Sequence, residues 1–210
     1  MITLAEFKIL RELLISSVKT QRELSESVNL SLGTVNSVIS KLKQKGLLST
    51  SNNVTEDGIK ELEPYKVNNA IILAAGMSTR FAPLSYEKPK GLLNVKGEVL
   101  IERQIKQLHS VGIKDITLVV GYMKEKMFYL EEKYGVEIIV NEDYYKYNNT
   151  SSMILVEDRL SNTYICSSDN YFVKNPFEKY VYRGYYAAVY EDGDTDEYCI
   201  VYDKKDRIVD

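Results

Sequence analysis

No tryptophan, one histidine and two cysteines stand in the 210 residues of this chain. Cys166 and Cys199 show no metal-ligand spacing, and each sits in an apolar run, which predicts small buried thiols. His109, the lone histidine, falls in an amphipathic pattern and is expected at the surface. No apolar run approaches the roughly 20 residues that span a bilayer. Glu6 stands where a secretion signal needs basic residues, so a cytoplasmic protein without a membrane partner is expected. A formal net charge of -3 gives no chain-wide reason to hold nucleic acid or an anionic lipid surface. The aromatic that is abundant is tyrosine, 17 against 5 phenylalanines. Much of it follows residue 120, where half-buried strands would suit it.

Two periodicities divide the chain. In residues 1–63 the apolar positions recur at helical spacing: Ile2, Leu4, Phe7, Leu10, Leu13 and Leu14, then Leu24 and Val28, then Val35, Val38, Ile39 and Leu42. Ser31 or Leu32 opens the third helix and Gly46 follows its end. "LLSTSNNVTEDG" reads as a small hairpin, and Thr55 to Leu62 as a last short helix. Helix, helix, turn, helix, hairpin resembles the small bacterial winged helix-turn-helix domains, with "SLGTVNSVISKLKQKGLL" as recognition helix and wing. The resemblance implies that Thr34, Asn36, Ser37, Ser40 and Lys41 face a DNA groove. Residues 1–63 carry as many acidic as basic side chains, so a dimerisation or regulatory module is the alternative.

Residues 64–69 read as a polar linker. From Ala70 the pattern changes to continuous apolar runs, "AIILAA" and "DITLVVGY", alternating with amphipathic helices, which predicts βαβ units and a mostly parallel sheet. Four later stretches, "TYICSSDN", "YYAAVYED", "EYCIVYD" and "RIVD", read as further strands. The loop after the first strand is Gly76-Met77-Ser78-Thr79-Arg80. Gly76 admits a ligand close to backbone, successive N–H groups make an anion-binding concavity, and Arg80 and Lys90 add fixed positive charge. Polyphosphate is the expected occupant. Neither G-x-x-x-x-G-K-[ST] nor G-x-G-x-x-G is present.

Leu73-Ala74-Ala75-Gly76-Met77-Ser78-Thr79-Arg80-Phe81-Ala82-Pro83-Leu84, followed by Pro89-Lys90-Gly91-Leu92, resembles the signature of nucleotidyltransferases that join an NTP to a phosphorylated small molecule. Ser78 replaces that pattern's second glycine. "YNNTSSM" and "CSSDNYF" are similar to segments of the CTP:phosphocholine cytidylyltransferase branch, with Ser167 in place of a first acid. The implied fold is an α/β, mostly parallel, Rossmann-like nucleotidyltransferase sheet with helices on both faces over residues 70–210, after the all-α winged-helix segment.

The reaction implied by the resemblance is transfer of a cytidylyl group from CTP to phosphocholine, with Mg²⁺ as cofactor. Leu73 to Thr79 would cradle the nucleotide. Arg80 would hold the β- and γ-phosphates and Lys90 the α-phosphate, while Asn148, Asn149 and Ser151 meet base and ribose. Asp169 is the implied metal ligand. Tyr171, Tyr185, Tyr186 and Tyr190 are candidates for a quaternary ammonium, or ordinary strand residues. The family's second metal aspartate lies farther along, and Asp192, Asp194 and Asp196 read as solvated loop charges. Weak or absent turnover with nucleotide binding partly kept is therefore expected, from a chain that is either a fragment of a longer protein or has an incomplete site. A sugar-1-phosphate acceptor is one alternative. A winged-helix regulator that senses nucleotide or choline metabolite is another. DNA through residues 1–63 and a second copy of the chain are the partners to test.

Overall fold

Hydroxyl side chains set the starts of all of the first four helices. Helix α1 (Leu4–Ile15) is followed by α2 (Gln21–Val28), α3 (Leu32–Gln44) and α4 (Glu56–Leu62). Thr3, Thr20, Ser31 and Thr55 each accept a hydrogen bond from the N–H three residues on, satisfying a donor that the first turn leaves over. At Thr20 the Glu23 carboxylate also accepts from the Thr20 N–H, closing a capping box. Between α3 and α4, Leu48 bridges Val54 antiparallel around a left-handed Asn52, as the Ser-Asn-Asn turn predicts. The structure, a computed structural model, describes residues 1–15, 20–147, 149–190, 192–195 and 199–209.

The expected stripe closes on one core built from Phe7, Leu10, Leu13, Leu24, Val35 and Leu42. Ile9 joins it fully buried, whereas Leu4 and Leu14 lie exposed. Tyr180 and Tyr182, from the far end of the chain, pack against the same core. The Tyr182 ring stacks on Tyr65 at 5.3 Å, and both tilt against Phe7. Backbone pairing accompanies them: Val67 N–H donates to the Lys179 carbonyl and Val181 N–H to that of Tyr65.

The second half is a parallel sheet of four strands. Strand β1 (Asn69–Ala74) is central, and a short hairpin, β2 (Asn94–Val95) and β3 (Glu98–Val99), leads into α5 (Leu100–Ser110). Then come β4 (Ile116–Val120), α6 (Tyr129–Tyr134), β5 (Glu137–Val140), α7 (Asn149–Ile154) and β6 (Thr163–Ser167). The order across the sheet is β5-β4-β1-β6. The chain moves outward from β1 through β4 to β5, then returns to β6 on the other side. The strand order therefore reverses beside β1, and crevices at such a reversal open at the carboxyl ends of the strands. Ala70, Ile72 and Ala74 face α5 in one apolar cluster with Ile101, Ile105 and Leu108. Ile71 faces the other way, onto Val119 and Val156.

Three expectations change. "YYAAVYED", "EYCIVYD" and "RIVD" form no strand among the described residues, only one bridge between Tyr202 and Ile208. Their alternating side chains, Tyr186, Val189 and Tyr190 among them, lie exposed, and no strand pairs with them among the described residues. Cys199 is exposed for the same reason. His109 is half-buried rather than at the surface: its ring meets Tyr134 edge-on, and its Nε2 has no partner. Burial and the nearby Lys114 charge push its pKa down.

Candidate functional site

Because β1 and β6 are parallel neighbours, paired Leu73 to Ser167, the loops that follow them leave the same edge side by side. Ser168 N–H donates to the Leu73 carbonyl at 3.1 Å and locks the two together. A third segment reaches the same edge: a Cβ on Gly91 would stand 3.0 Å from the Ser168 Cβ, so glycine lets the Pro89-Lys90-Gly91 turn press against the β6 loop. The result is a cleft of about 320 Å³. Leu73, Ala74, Gly76, Ser78, Thr79, Arg80, Lys90, Asn149 and Asp169 line it, together with Pro89, Gly91, Ser167 and Ser168.

Within the cleft, Lys90 Nζ donates to Asp169 Oδ2 at 3.0 Å and sits 4.3 Å over the Phe81 ring. Both side chains are partly open to solvent, 24% and 34%, so the ion pair is accessible to a ligand that competes for either partner. Gly76 has no packing reason to be glycine, since a Cβ there would meet nothing within 4 Å. Ser78 has a backbone reason: it lies at φ 57°, ψ 37°, the left-handed region where glycine is at ease and other residues are strained.

The remaining expected residues fall elsewhere. Ala75 is buried behind the loop, its carbonyl accepting from Tyr122 N–H. Met77 is exposed beside the cleft without lining it. Ser151 accepts from Asn141 Nδ2 and faces a second hollow with Tyr147 and Ile154. Asn148 and Asp196 lie outside the described residues. Tyr171 already carries a cation on its face, the Arg103 guanidinium at 4.7 Å. Tyr185, Tyr186 and Tyr190 are exposed and line no part of the cleft. On α3, the candidates Thr34, Asn36, Ser37, Ser40 and Lys41 all lie exposed on the side away from Val35, Val38 and Leu42. Lys43 and Lys45, by contrast, are engaged with the Thr50 carbonyl and Glu6.

Among the described residues no three His, Cys, Asp or Glu side chains converge as a metal cage. The donor set fits a cation of another kind: Mg²⁺ keeps waters and is typically held by one or two carboxylates plus substrate phosphates, and Asp169 is such a carboxylate beside a basic loop. Burial pushes the Cys166 thiol, on β6, up to about 12, which leaves it protonated and unreactive.

Gln104 carries no motif that would single it out in the sequence. It is fully buried on α5 and donates to the carbonyls of Ser167 at 2.8 Å and Asn170 at 2.9 Å. The available signal was a polar residue four positions from both Leu100 and Leu108, on the face that should be apolar.

Comparison with known proteins agrees with this geometry. Residues 70–204 match the model of the MobA-like NTP transferase domain, and residues 4–49 that of a winged helix-turn-helix DNA-binding domain. A choline-phosphate cytidylyltransferase of Streptococcus pneumoniae is 44% identical over 141 residues, 67% of this chain and 62% of the relative. A 2-aminoethylphosphonate cytidylyltransferase of Lancefieldella rimae is 45% identical over 104 residues, 48% of this chain and 42% of that protein. The solved CTP:phosphocholine cytidylyltransferase of Streptococcus pneumoniae superposes with a TM-score of 0.66, covering 68% of this chain and 62% of that one. The chain thus spans less than two thirds of the length of these relatives. With a matching signature loop, a matching sheet and a family model that covers residues 70–204, the chain belongs to the MobA-like NTP transferase family, and a winged helix-turn-helix segment precedes that domain.

Proposed function

We propose that the chain binds CTP in the cleft between β1 and β6 and serves cytidylyl transfer to phosphocholine, releasing CDP-choline and pyrophosphate. The observation that carries this reading is the convergence of Arg80, Lys90 and Asp169 on one loop-lined cleft. In the proposed reaction an acceptor phosphate oxygen attacks the α-phosphorus in line as the bond to the β-phosphate oxygen breaks. Such chemistry needs positioning and neutralisation of charge rather than a protein nucleophile. Arg80 holds the β- and γ-phosphates, whose negative charge grows as pyrophosphate leaves. Lys90 leaves Asp169 for the α-phosphate and stabilises its equatorial oxygens. Gly76 to Thr79 supply backbone N–H groups, and Asn149 borders the cleft on the side proposed for the ribose. Magnesium, when bound at Asp169, offsets phosphate charge.

Phosphocholine is favoured as acceptor because the relatives named for choline-phosphate and for 2-aminoethylphosphonate share a cationic amine head and a phosphorus acid. Pyrophosphate release with CTP and phosphocholine, beside 2-aminoethylphosphonate and glucose-1-phosphate, and with UTP in place of CTP, tests the reading. Release is expected with CTP and phosphocholine and is expected to vanish in Lys90→Ala and Asp169→Ala. Equal release with UTP and glucose-1-phosphate would instead point to a sugar-1-phosphate enzyme.

A second reading rests on the exposed polar face of α3. There residues 1–63 bind DNA through Thr34, Asn36, Ser37, Ser40 and Lys41, and the cleft acts as a nucleotide sensor. CTP binding without pyrophosphate from any acceptor, together with salt-dependent DNA binding, would favour it.

A further inference from the structure

Helix α5 packs its apolar side on the sheet, with Leu100, Ile101, Ile105 and Leu108 all buried. Gln104 interrupts that side at full burial. Both its amide hydrogens are committed, to the Ser167 carbonyl at 2.8 Å and the Asn170 carbonyl at 2.9 Å. Its Oε1 is buried without a hydrogen-bond partner. A buried acceptor left unpaired opposes folding; a leucine here would avoid that cost but would strip the Ser167 and Asn170 carbonyls of these donors. Packing therefore gives no reason for glutamine, whereas the position of its two bonds does, because they fall on either side of Asp169.

Neighbouring residues of α5 continue the pattern. Arg103 Nε donates to the Phe172 carbonyl and its second terminal nitrogen to that of Val173, both at 2.9 Å. Gln107 Nε2 reaches the Phe172 carbonyl at 3.1 Å. The hydrogen bonds from this helix face to the loop 167–173 thus all end on backbone carbonyls, beside the Arg103 guanidinium on the Tyr171 ring. No side chain of that face touches the Asp169 carboxylate, which is met instead by Lys90 from the opposite wall. A grip on the backbone fixes where the carboxylate sits and leaves its oxygens to a cation.

We infer that Gln104 is a positioning residue for the cleft: it sets Asp169 at the carboxyl edge, ready for the cation that accompanies a nucleoside triphosphate. The inference rests on reading the cleft as a nucleotide site. Gln104→Leu removes both donors. Gln104→Glu keeps the shape but sets carboxylate oxygens against two carbonyls, a clash relieved when the buried acid takes up a proton and regains one donor.

The test is the affinity for CTP, measured by calorimetry with and without Mg²⁺, in the wild type, Asp169→Ala, Gln104→Leu and Gln104→Glu. Mg²⁺ is expected to tighten CTP in the wild type, and Asp169→Ala to abolish that gain. Gln104→Leu is expected to cut the gain by about tenfold while CTP alone binds as before. In Gln104→Glu the gain returns in part as the pH is lowered from about 8 to about 6, a readout that a purely structural role would not give and that stands even if Gln104→Leu fails to fold. A full Mg²⁺ gain in both Gln104 variants, with Asp169→Ala lacking it, overturns the role of Gln104 alone. A full gain in Asp169→Ala overturns the reading of the cleft beneath it.

Discussion

Ser78 holds a left-handed backbone, φ 57° and ψ 37°, on the wall of the cleft. Its place in the motif, where the related pattern has glycine, was legible from sequence as a small-for-small change. Its left-handed backbone at φ 57° was not, because a motif records which residue stands at a position and not the torsion it must adopt. Glu102 was hidden in another way. It lies on α5 as an ordinary helix glutamate in the sequence, yet it is buried and accepts from Tyr129, Lys133 and Tyr134. Burial alone would raise its pKa. The bonds from Lys133, Tyr134 and Tyr129 outweigh that and hold the carboxyl down at about 2. A carboxyl whose pKa is lower in the folded than in the unfolded state stabilises the fold above its unfolded value and loses that contribution as pH falls toward the folded one. The wild type should therefore lose stability steadily between about pH 5 and about pH 2. In Glu102→Gln that acid limb should be shallower, with a lower plateau at neutral pH. Denaturant midpoints across this range check it, and identical acid limbs in the two proteins would rule out Glu102 as a contributor.

At the scale of elements, the buried strands β1 and β4 and the amphipathic α5 were plain in the pattern of apolar residues. So was the position of the Gly76 loop at a strand's carboxyl end. The adjacency of β1 and β6 was not, since strand order is a tertiary property, and it is that adjacency which brings Asp169 to the loop. The late strands failed because alternation describes residues able to pair, while a ladder also needs an edge to pair with. Gly76 separates packing from ligand binding at this scale. A Cβ there would project into open space, so Gly76→Ala should leave the unfolding midpoint within about 0.5 kcal/mol of the wild type. The same methyl narrows the cradle and should weaken CTP binding by about tenfold. Unchanged CTP affinity in a folded Gly76→Ala protein would mean that the ligand does not approach this backbone.

At the scale of the whole molecule, the two halves foretold by the change in periodicity are stitched by a segment that no pattern singled out. Phe177 packs under the sheet, while Tyr180, 5% exposed, lies in the helical core three residues on. Arg11 on α1 pairs with Glu178 between them. Part of the tyrosine excess thereby finds its use, in Tyr65, Tyr180 and Tyr182 at the join. Removing the Tyr180 ring should cost about 3 kcal/mol, in the range of other buried aromatic truncations. It should also split a single thermal transition into two, with the helical half melting first. Loss of stability without such a split would mean that the halves are held together by other interactions.

The central claim is that the cleft at the carboxyl edge of β1 and β6 holds a triphosphate. Calorimetric titration of CTP and of CMP, both with Mg²⁺, into the wild type, Arg80→Ala and Lys90→Ala tests it most directly. Removing either charged side chain should weaken CTP by about 10- to 100-fold, the worth of a charge-assisted hydrogen bond to phosphate. Arg80→Ala should leave CMP nearly untouched, since CMP has no β- or γ-phosphate for it to hold. CTP and CMP binding the wild type equally, with neither changed in the variants, would contradict the account.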